Sequence, residues 1–319
     1  MQEEEQETIA VLLAVYNGER YLDDFLNSLE EQTDHGFVCA VRDDGSTDRS
    51  MDIVRKHQKR YPEFYRIYTC DNPYGRSAKG NFFTLMSCVR AKYYMFADQD
   101  DVWLPDKIAV TRKAMQRIRG RDGELPIAVF SDLYVTDEHL KVLSDSFIRS
   151  IDRDPEAVSP NELLIDNPAA GCSMMINRPL RDRALTVRDL SNLEEHDGWL
   201  MLLASVFGTV QYIDRPLAYY RQHGDNEKGA GRRSIPARIL QNIRLIGTGK
   251  FRKEKRAFIR EKQNLASELL QQDGLSPEYR RVLKGFIDLD EMPKRQRIDF
   301  LKTHHFQRAH HNFWFRFFA

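Results

Sequence analysis

A chain of 319 residues, 41% hydrophobic and 30% charged, has room for one large folded domain or two smaller ones. It contains no run of about 18 apolar residues, so no membrane-spanning helix is expected. The acidic start Met1-Gln2-Glu3-Glu4-Glu5-Gln6-Glu7 is the wrong chemistry for a signal peptide. The net charge of zero hides an asymmetry. Residues 1–225 hold 27 Lys and Arg against 38 Asp and Glu, and residues 226–319 hold 21 against 10. The two parts are expected to have different neighbours, and a basic segment fits nucleic acid, an anionic membrane surface or an acidic partner. Cys39, Cys70, Cys88 and Cys172 lack metal-ligand spacing, which argues against structural zinc and for reduced thiols in a reducing compartment.

Thr8 to Tyr16 is a buried-strand candidate rich in β-branched residues, broken by Asn17-Gly18. Leu22, Phe25, Leu26 and Leu29 recur at helical spacing within Tyr21 to Glu31. Phe37 to Val41 reads as a second strand that ends in Asp43-Asp44-Gly45-Ser46-Thr47-Asp48. Ser46 or Thr47 is expected to cap the helix carrying Ile53 and Val54. Phe64 to Thr69 is a short third strand, Asn72-Pro73-Tyr74-Gly75 a turn, and Asn81 to Arg90 a helix. The next strand, Tyr93 to Ala97, ends in Asp98-Gln99-Asp100-Asp101. Such alternation predicts a parallel, doubly wound α/β sheet, with both acidic turns on the edge where open sheets bind ligands.

Three carboxylates in four residues repel one another unless a cation lies among them. Oxygen ligands in Asp-x-Asp spacing favour Mg²⁺ or Mn²⁺ shared with substrate phosphates. The plain alternative is a solvated acidic turn, with Asp101 or Asp106 near the start of the next helix. There is no Gly-x-Gly-x-x-Gly after the first strand and no Walker A sequence, so a phosphate ligand would rely on metal and basic side chains.

Lys107 to Arg119 is an amphipathic helix, Ile127 to Val135 a strand, and residues 144–161 a flexible loop. Asn167 to Ile176 reads as a turn feeding a strand. Its small residues at 169–173 either let a ligand approach the backbone or simply make a tight turn. Glu194-Glu195-His196-Asp197-Gly198-Trp199 opens an apolar helix. Asp197 there is either a cap favoured by the helix dipole or a general base at a pocket wall. Val210 to Ile213 is a short strand, followed by Tyr220-Arg221-Gln222-His223-Gly224-Asp225-Asn226. His223 is either a metal or phosphate partner or an ordinary satisfied histidine.

Residues 232–260 carry ten Lys and Arg and one Glu, with Ile239, Ile243 and Ile246 at helix-like spacing. Further helices are expected near 253–272 and 277–288. The aromatic, basic end from His304 to Phe318 suits an interfacial membrane helix or a helix docked on the domain.

In order and spacing, Val15-Tyr16-Asn17-Gly18, Asp43 to Asp48, Asp98 to Trp103, His196 to Trp199 and Tyr220 to Asn226 together resemble the family 2 glycosyltransferases. The last two resemble the bacterial O-antigen and capsule branch, often rhamnosyltransferases. The resemblance covers about residues 8–226. It implies a GT-A domain over 1–226, with a basic helical region over 227–319. It also implies a nucleotide-diphosphate sugar donor (UDP- or dTDP-linked), Mn²⁺ or Mg²⁺, and inversion at the anomeric carbon. By it, Tyr16 and Asp43 contact the base, Asp98 the ribose side, Asp100 the metal, and Asp197 is the catalytic base. Arg221 and His223 lie near the diphosphate, with His223 a second metal ligand. The implied donor side extends to Val15, Asn17, Asp44, Lys79 and Gln99, and the implied acceptor side comprises Trp103, Gly171, Cys172, His196 and Trp199.

Two departures stand out. His196-Asp197 replaces the Glu-Asp of many relatives, and Gly80 rather than Arg precedes Asn81, leaving Lys79 or Arg76 as phosphate candidates. The expected acceptor is a lipid-linked saccharide in surface-polysaccharide synthesis, receiving a hexose or deoxyhexose, with the protein cytoplasmic and peripheral on the inner leaflet. Two rivals stand beside this reading. One is a nucleotidyltransferase-like enzyme, poorly served by Asn17-Gly18-Glu19-Arg20. The other is a non-catalytic module whose tail binds nucleic acid, though the acidic sites of the N-terminal part would repel phosphates.

Overall fold

The computed structural model describes residues 9–122, 125–224 and 249–307. In chain order the first elements are β1 (Ile9–Val15), α1 (Leu22–Glu30), β2 (Phe37–Asp43), α2 (Ser50–Arg60), β3 (Tyr65–Ile67), α3 (Ala78–Cys88) and β4 (Tyr93–Ala97). β1 pairs in parallel with β2 and β4, with Val15 opposite Asp43 and Leu13 opposite Ala97. That register brings the ends of three strands, and both acidic turns, to one edge.

The sheet continues through β5 (Val102–Trp103), α4 (Lys107–Asp122), β6 (Ile127–Thr136), β7 (Val142–Ser144), α5 (Phe147–Ser150), α6 (Pro160–Ile165), β8 (Met174–Asn177), α7 (Arg178–Ala184), α8 (His196–Phe207) and β9 (Thr209–Arg221). Among the described residues the strand order is β3-β2-β1-β4-β8-β6-β9-β5, with β7 on β6. The long pairings are parallel, and β8 runs antiparallel between β4 and β6. Because β8 is reversed, the 3₁₀ turn Gly171–Ser173 at its entry joins the same edge. β9 runs parallel to β6 and ends there too, at Arg221.

Each strand divides its side chains between two cores by the period-two rule. Ile9, Val11, Leu13, Met95 and Ala97 face α1 and α4. Ala10, Leu12, Tyr94 and Phe96 face α3 and α8. Three C-terminal helices, α9 (Gly249–Leu270), α10 (Pro277–Ile287) and α11 (Lys294–Thr303), add Leu265, Leu269, Leu283, Phe286 and Leu301 to that second core. Phe306 closes it, stacked 4.5 Å from Phe286.

Some expectations are corrected. Residues 144–161 are not a plain loop: Ser146 caps α5, and Ser159 with Glu162 forms the capping box of α6. Neither Ser46 nor Thr47 caps α2; Asp48 accepts the Ser50 N–H at 3.0 Å instead. The short strand expected at Val210 to Ile213 is the first part of thirteen-residue β9. The helix-like Ile239, Ile243 and Ile246, the pair Asp225-Asn226, and the tail beyond Gln307 lie outside the described residues.

Candidate active site

The first wall of the site is built from backbone. The Gln99 amide clips onto Tyr16, its Oε1 accepting the Tyr16 N–H at 3.0 Å and its Nε2 donating to the Tyr16 carbonyl at 2.8 Å. A Cβ at Gly18 would stand 2.3 Å from Gln99 Oε1, so the close approach needs glycine. Asn17, at φ 46°, donates its N–H to Ser46 Oγ and accepts the Thr47 N–H on Oδ1. These bonds hold the Asp43 loop against the end of β1 and leave the Tyr16 ring 58% exposed.

Asp43 accepts from the Gly45 and Ser46 N–H groups and from Ser46 Oγ, which orients its carboxylate. The Arg76 guanidinium lies 4.0 Å from where a Cβ on Gly45 would be, an exposed cation beside this loop. Asp44 turns the other way, paired to Arg42 at 3.2 Å and bonded to Asn72. Its donor-side assignment is therefore corrected to a buttress. Val15 is wholly buried and offers a ligand no side chain.

The second wall is the acidic turn. Asp100 Oδ2 lies 2.8 Å from His223 Nε2, and the His223 ring packs 4.7 Å from Tyr21. Buried Arg221 donates to the Asp100 carbonyl, the Glu138 carbonyl and Asp24 Oδ2, and lies over the Tyr21 ring. That guanidinium anchors the turn beside Asp100. Asp101 is completely buried and accepts the Arg221 N–H at 3.3 Å.

Asp98, Asp101 and Cys172 present ligand-type atoms within 4.8 Å of one another. Lys107, also buried, donates to the Cys172 carbonyl at 2.6 Å and stands over the Trp103 ring. Desolvation, and next the charge of Asp100, push the Asp98 carboxyl up to about 7; Asp197 acts in the same direction. Burial, then the charges of Asp100 and Asp98, raise Asp101 well above the carboxylate range. Burial brings the Lys107 ammonium down to about 8.

Lys107 thus supplies positive charge that Asp98 and Asp101 feel, while burial pushes the Cys172 thiol up. Asp100 Oδ2 and His223 Nε2, a hard oxygen and an imidazole nitrogen 2.8 Å apart, are atoms of the types that could hold a divalent ion.

The third wall is the start of α8. Asp197 sits half-buried in its first turn, bonded to the Gly198 N–H, and close enough to Asp98 for their charges to interact. The His196 ring packs tilted against Phe82 and Phe96, and a Cβ on Gly171 would meet its Nε2 at 2.4 Å. Gly171 and His196 therefore lie side by side, with His196 only 7% exposed.

The side chains of Trp103, Cys172 and Trp199, expected on the acceptor side, are turned into the core. Trp103 packs on Phe25, Trp199 donates to the Ala184 carbonyl, and all three are buried. Lys79 is also reassigned: its ammonium caps the carbonyls of Leu190 and Leu193 rather than a phosphate. Tyr21, Asp24 and Lys107 went unnoticed in the sequence. Only Lys107 left a signal there, as a cation six residues beyond three clustered acids.

Residues 10–121 match the family described as Glycosyl transferase family 2. The chain is 26% identical over 227 residues to the dTDP-rhamnosyl transferase RfbG of Shigella flexneri, covering 68% of this chain and 74% of that one. It is 23% identical over 223 residues to the UDP-Glc:alpha-D-GlcNAc-diphosphoundecaprenol beta-1,3-glucosyltransferase WfaP of Escherichia coli, covering 68% and 78%. The structure resembles S. aureus TarS 1-349 in complex with UDP-GlcNAc, with a TM-score of 0.54 and 16% identity over 92% of this chain and 79% of that one. It spans 43% of the longer TarS chain.

Proposed function

The chain belongs to the family 2 glycosyltransferases and has the GT-A fold, and we propose that it is an inverting, metal-dependent enzyme of surface-polysaccharide synthesis. In this reading it moves a hexose or deoxyhexose from a UDP- or dTDP-sugar to a lipid-linked saccharide. The observation that carries the reading is the meeting of Asp98, Asp100 and Asp197, from two separate elements, within charge–charge range. The names of RfbG and WfaP support the donor and acceptor classes.

Asp43 presents an oriented carboxylate that suits the imide N–H shared by uracil and thymine. Tyr16 offers an exposed ring for the base to stack on. A divalent ion held by Asp100 and His223 would neutralise charge on the diphosphate. Asp197 takes the proton of the acceptor hydroxyl as its oxygen bonds to the anomeric carbon. The bond from that carbon to the diphosphate oxygen breaks in the same displacement, so configuration inverts. Among the described residues of the C-terminal region, Lys253, Arg256, Arg260, Arg281, Lys284, Lys294, Arg295 and Lys302 are exposed, as docking on an anionic leaflet requires. No helix among the described residues is long and apolar enough to cross a membrane.

The test is calorimetry of UDP-, dTDP- and GDP-sugars with Mn²⁺ and then with EDTA, followed by turnover of Asp197→Asn. Tight binding of UDP- or dTDP-sugars that EDTA abolishes is expected. The variant should keep that binding and lose about 10²- to 10⁴-fold in turnover. Binding indifferent to EDTA, or near-normal turnover of the variant, would refute the metal or the base assignment respectively.

A further inference from the structure

The segment from Thr186 to Glu194 runs into the helix that carries Asp197, and much of its polar capacity is met from outside. Both oxygens of Glu268, on α9, are spent on it. Oε1 accepts the Arg188 N–H at 2.6 Å and Oε2 accepts from Asn192 Nδ2 at 3.2 Å. Thr186 Oγ1 donates to Gln272 Oε1, two residues past the end of α9. Lys262 Nζ reaches Glu194 Oε2 at 2.9 Å. From the other side, Lys79 on α3 holds the carbonyls of Leu190 and Leu193. The Leu193 side chain packs into the core shared with Ile259, Leu265 and Leu269 of α9. Asp197 stands three residues beyond Glu194.

These contacts differ in weight. Glu194 is 53% exposed, so its pair with Lys262 is a surface ion pair of small worth. Glu268 is 2% exposed, and a buried carboxylate is costly unless its lone pairs are met with good geometry. Here both oxygens meet one short segment through hydrogen bonds of the charge-assisted kind. A carboxylate placed this way fixes the segment more than it joins two helices.

We propose that α9 is a working part of the active site, with Glu268 a positioning residue that fixes the Thr186–Glu194 segment and through it the Asp197 carboxylate. The proposal rests on Asp197 being the base. Reacting groups tolerate little misplacement, and about 1 Å can cost about 10²-fold.

The experiment uses the full chain and compares Glu268→Gln, Asp197→Asn and the double variant. Turnover, donor KM, nucleoside diphosphate Kd and melting temperature are read for each. Glu268→Gln keeps the shape but puts an N–H₂ where an acceptor is needed. Its kcat should fall about tenfold or more, with donor KM and nucleotide Kd within about twofold of wild type. The double variant should be no slower than Asp197→Asn alone, because a residue that acts through Asp197 has nothing left to act on. Should Glu268→Gln fail to fold, Asn192→Ala removes one of the two bonds and should show the same split at a smaller loss. Wild-type kcat in either folded variant overturns the proposal. So does a parallel fall in kcat and nucleotide affinity, or additive losses in the double variant. An active Asp197→Asn overturns the base assignment and the proposal together; an inactive Asp197→Asn beside a fully active Glu268→Gln overturns the proposal alone.

Discussion

At the scale of single residues, Lys107 decides how the acidic turn is held. Asp98 and Asp101 lie against Cys172 beneath the turn, and the ammonium beside them is the buried counter-charge among the described residues there. Replacing it with Met keeps much of the volume and removes the charge. The Lys107→Met protein is expected to be less stable by about 1–3 kcal/mol, the cost of leaving the buried Cys172 carbonyl without its donor. Urea unfolding at pH 7 measures it, and an unchanged midpoint would show that the acids need no internal cation. The Asp-x-Asp spacing itself was legible, because three adjacent carboxylates are visible in any extended sequence. The division of labour among them was not. Which carboxylate faces Lys107 and which faces His223 depends on Arg221, a residue 120 positions away from Asp101 that anchors the turn from β9. The same holds for Lys79 and the tryptophans: residue type made them candidates, but Lys79 is engaged by the Leu190 and Leu193 carbonyls and the tryptophans are buried.

Among elements, α1 and α2 are joined by a buried histidine. His57 is 3% exposed, with Nδ1 2.6 Å from Glu30 Oε1 and Nε2 3.0 Å from Asp23 Oδ1. The hydrogen bond from His57 is the main cause that holds the Asp23 carboxyl below its ordinary value. A carboxylate depressed on folding contributes stability that is complete above its unfolded pKa of about 3.9. That contribution is lost as pH falls through the lower folded value. Asp23 is 48% exposed, so at pH 7 the contribution is below about 1 kcal/mol. Asp23→Asn should therefore lower stability slightly at neutral pH and flatten the loss of stability below about pH 4. Urea midpoints from pH 7 to pH 2.5 report both, and curves of equal slope would show the clamp to be inert. Elements of this kind were legible where one face is apolar, as with Leu22, Phe25, Leu26 and Leu29 in α1. They were not legible where short helices start from local caps, as at Ser146 and Ser159, because four to six residues carry too little periodicity.

At the scale of the whole molecule, the switch in charge near residue 226 reads as a boundary, yet packing crosses it. Leu265, Leu269, Leu283, Phe286 and Leu301 lie in one core with Trp199, Leu200 and Leu203 of α8. Charge records which surface meets solvent, and apolar contact records what folds together, so the first does not locate the second. A chain ending at residue 226 would uncover the apolar flank that α9 now shields and would release the segment leading to Asp197. Burying a leucine or phenylalanine side chain is worth about 1.5–3 kcal/mol, so losing several such contacts rivals a domain's net stability of about 5–15 kcal/mol. The truncated chain is expected to lose its cooperative melt and bind a hydrophobic dye. Donor binding should weaken with it, although every candidate donor-side residue is still present. Differential scanning calorimetry of both chains, with and without the nucleotide, is the measurement. A truncated chain that melts as sharply as the whole and binds the nucleotide equally well would make the C-terminal helices an independent appendage, and would remove the physical basis for any influence of α9 on the site.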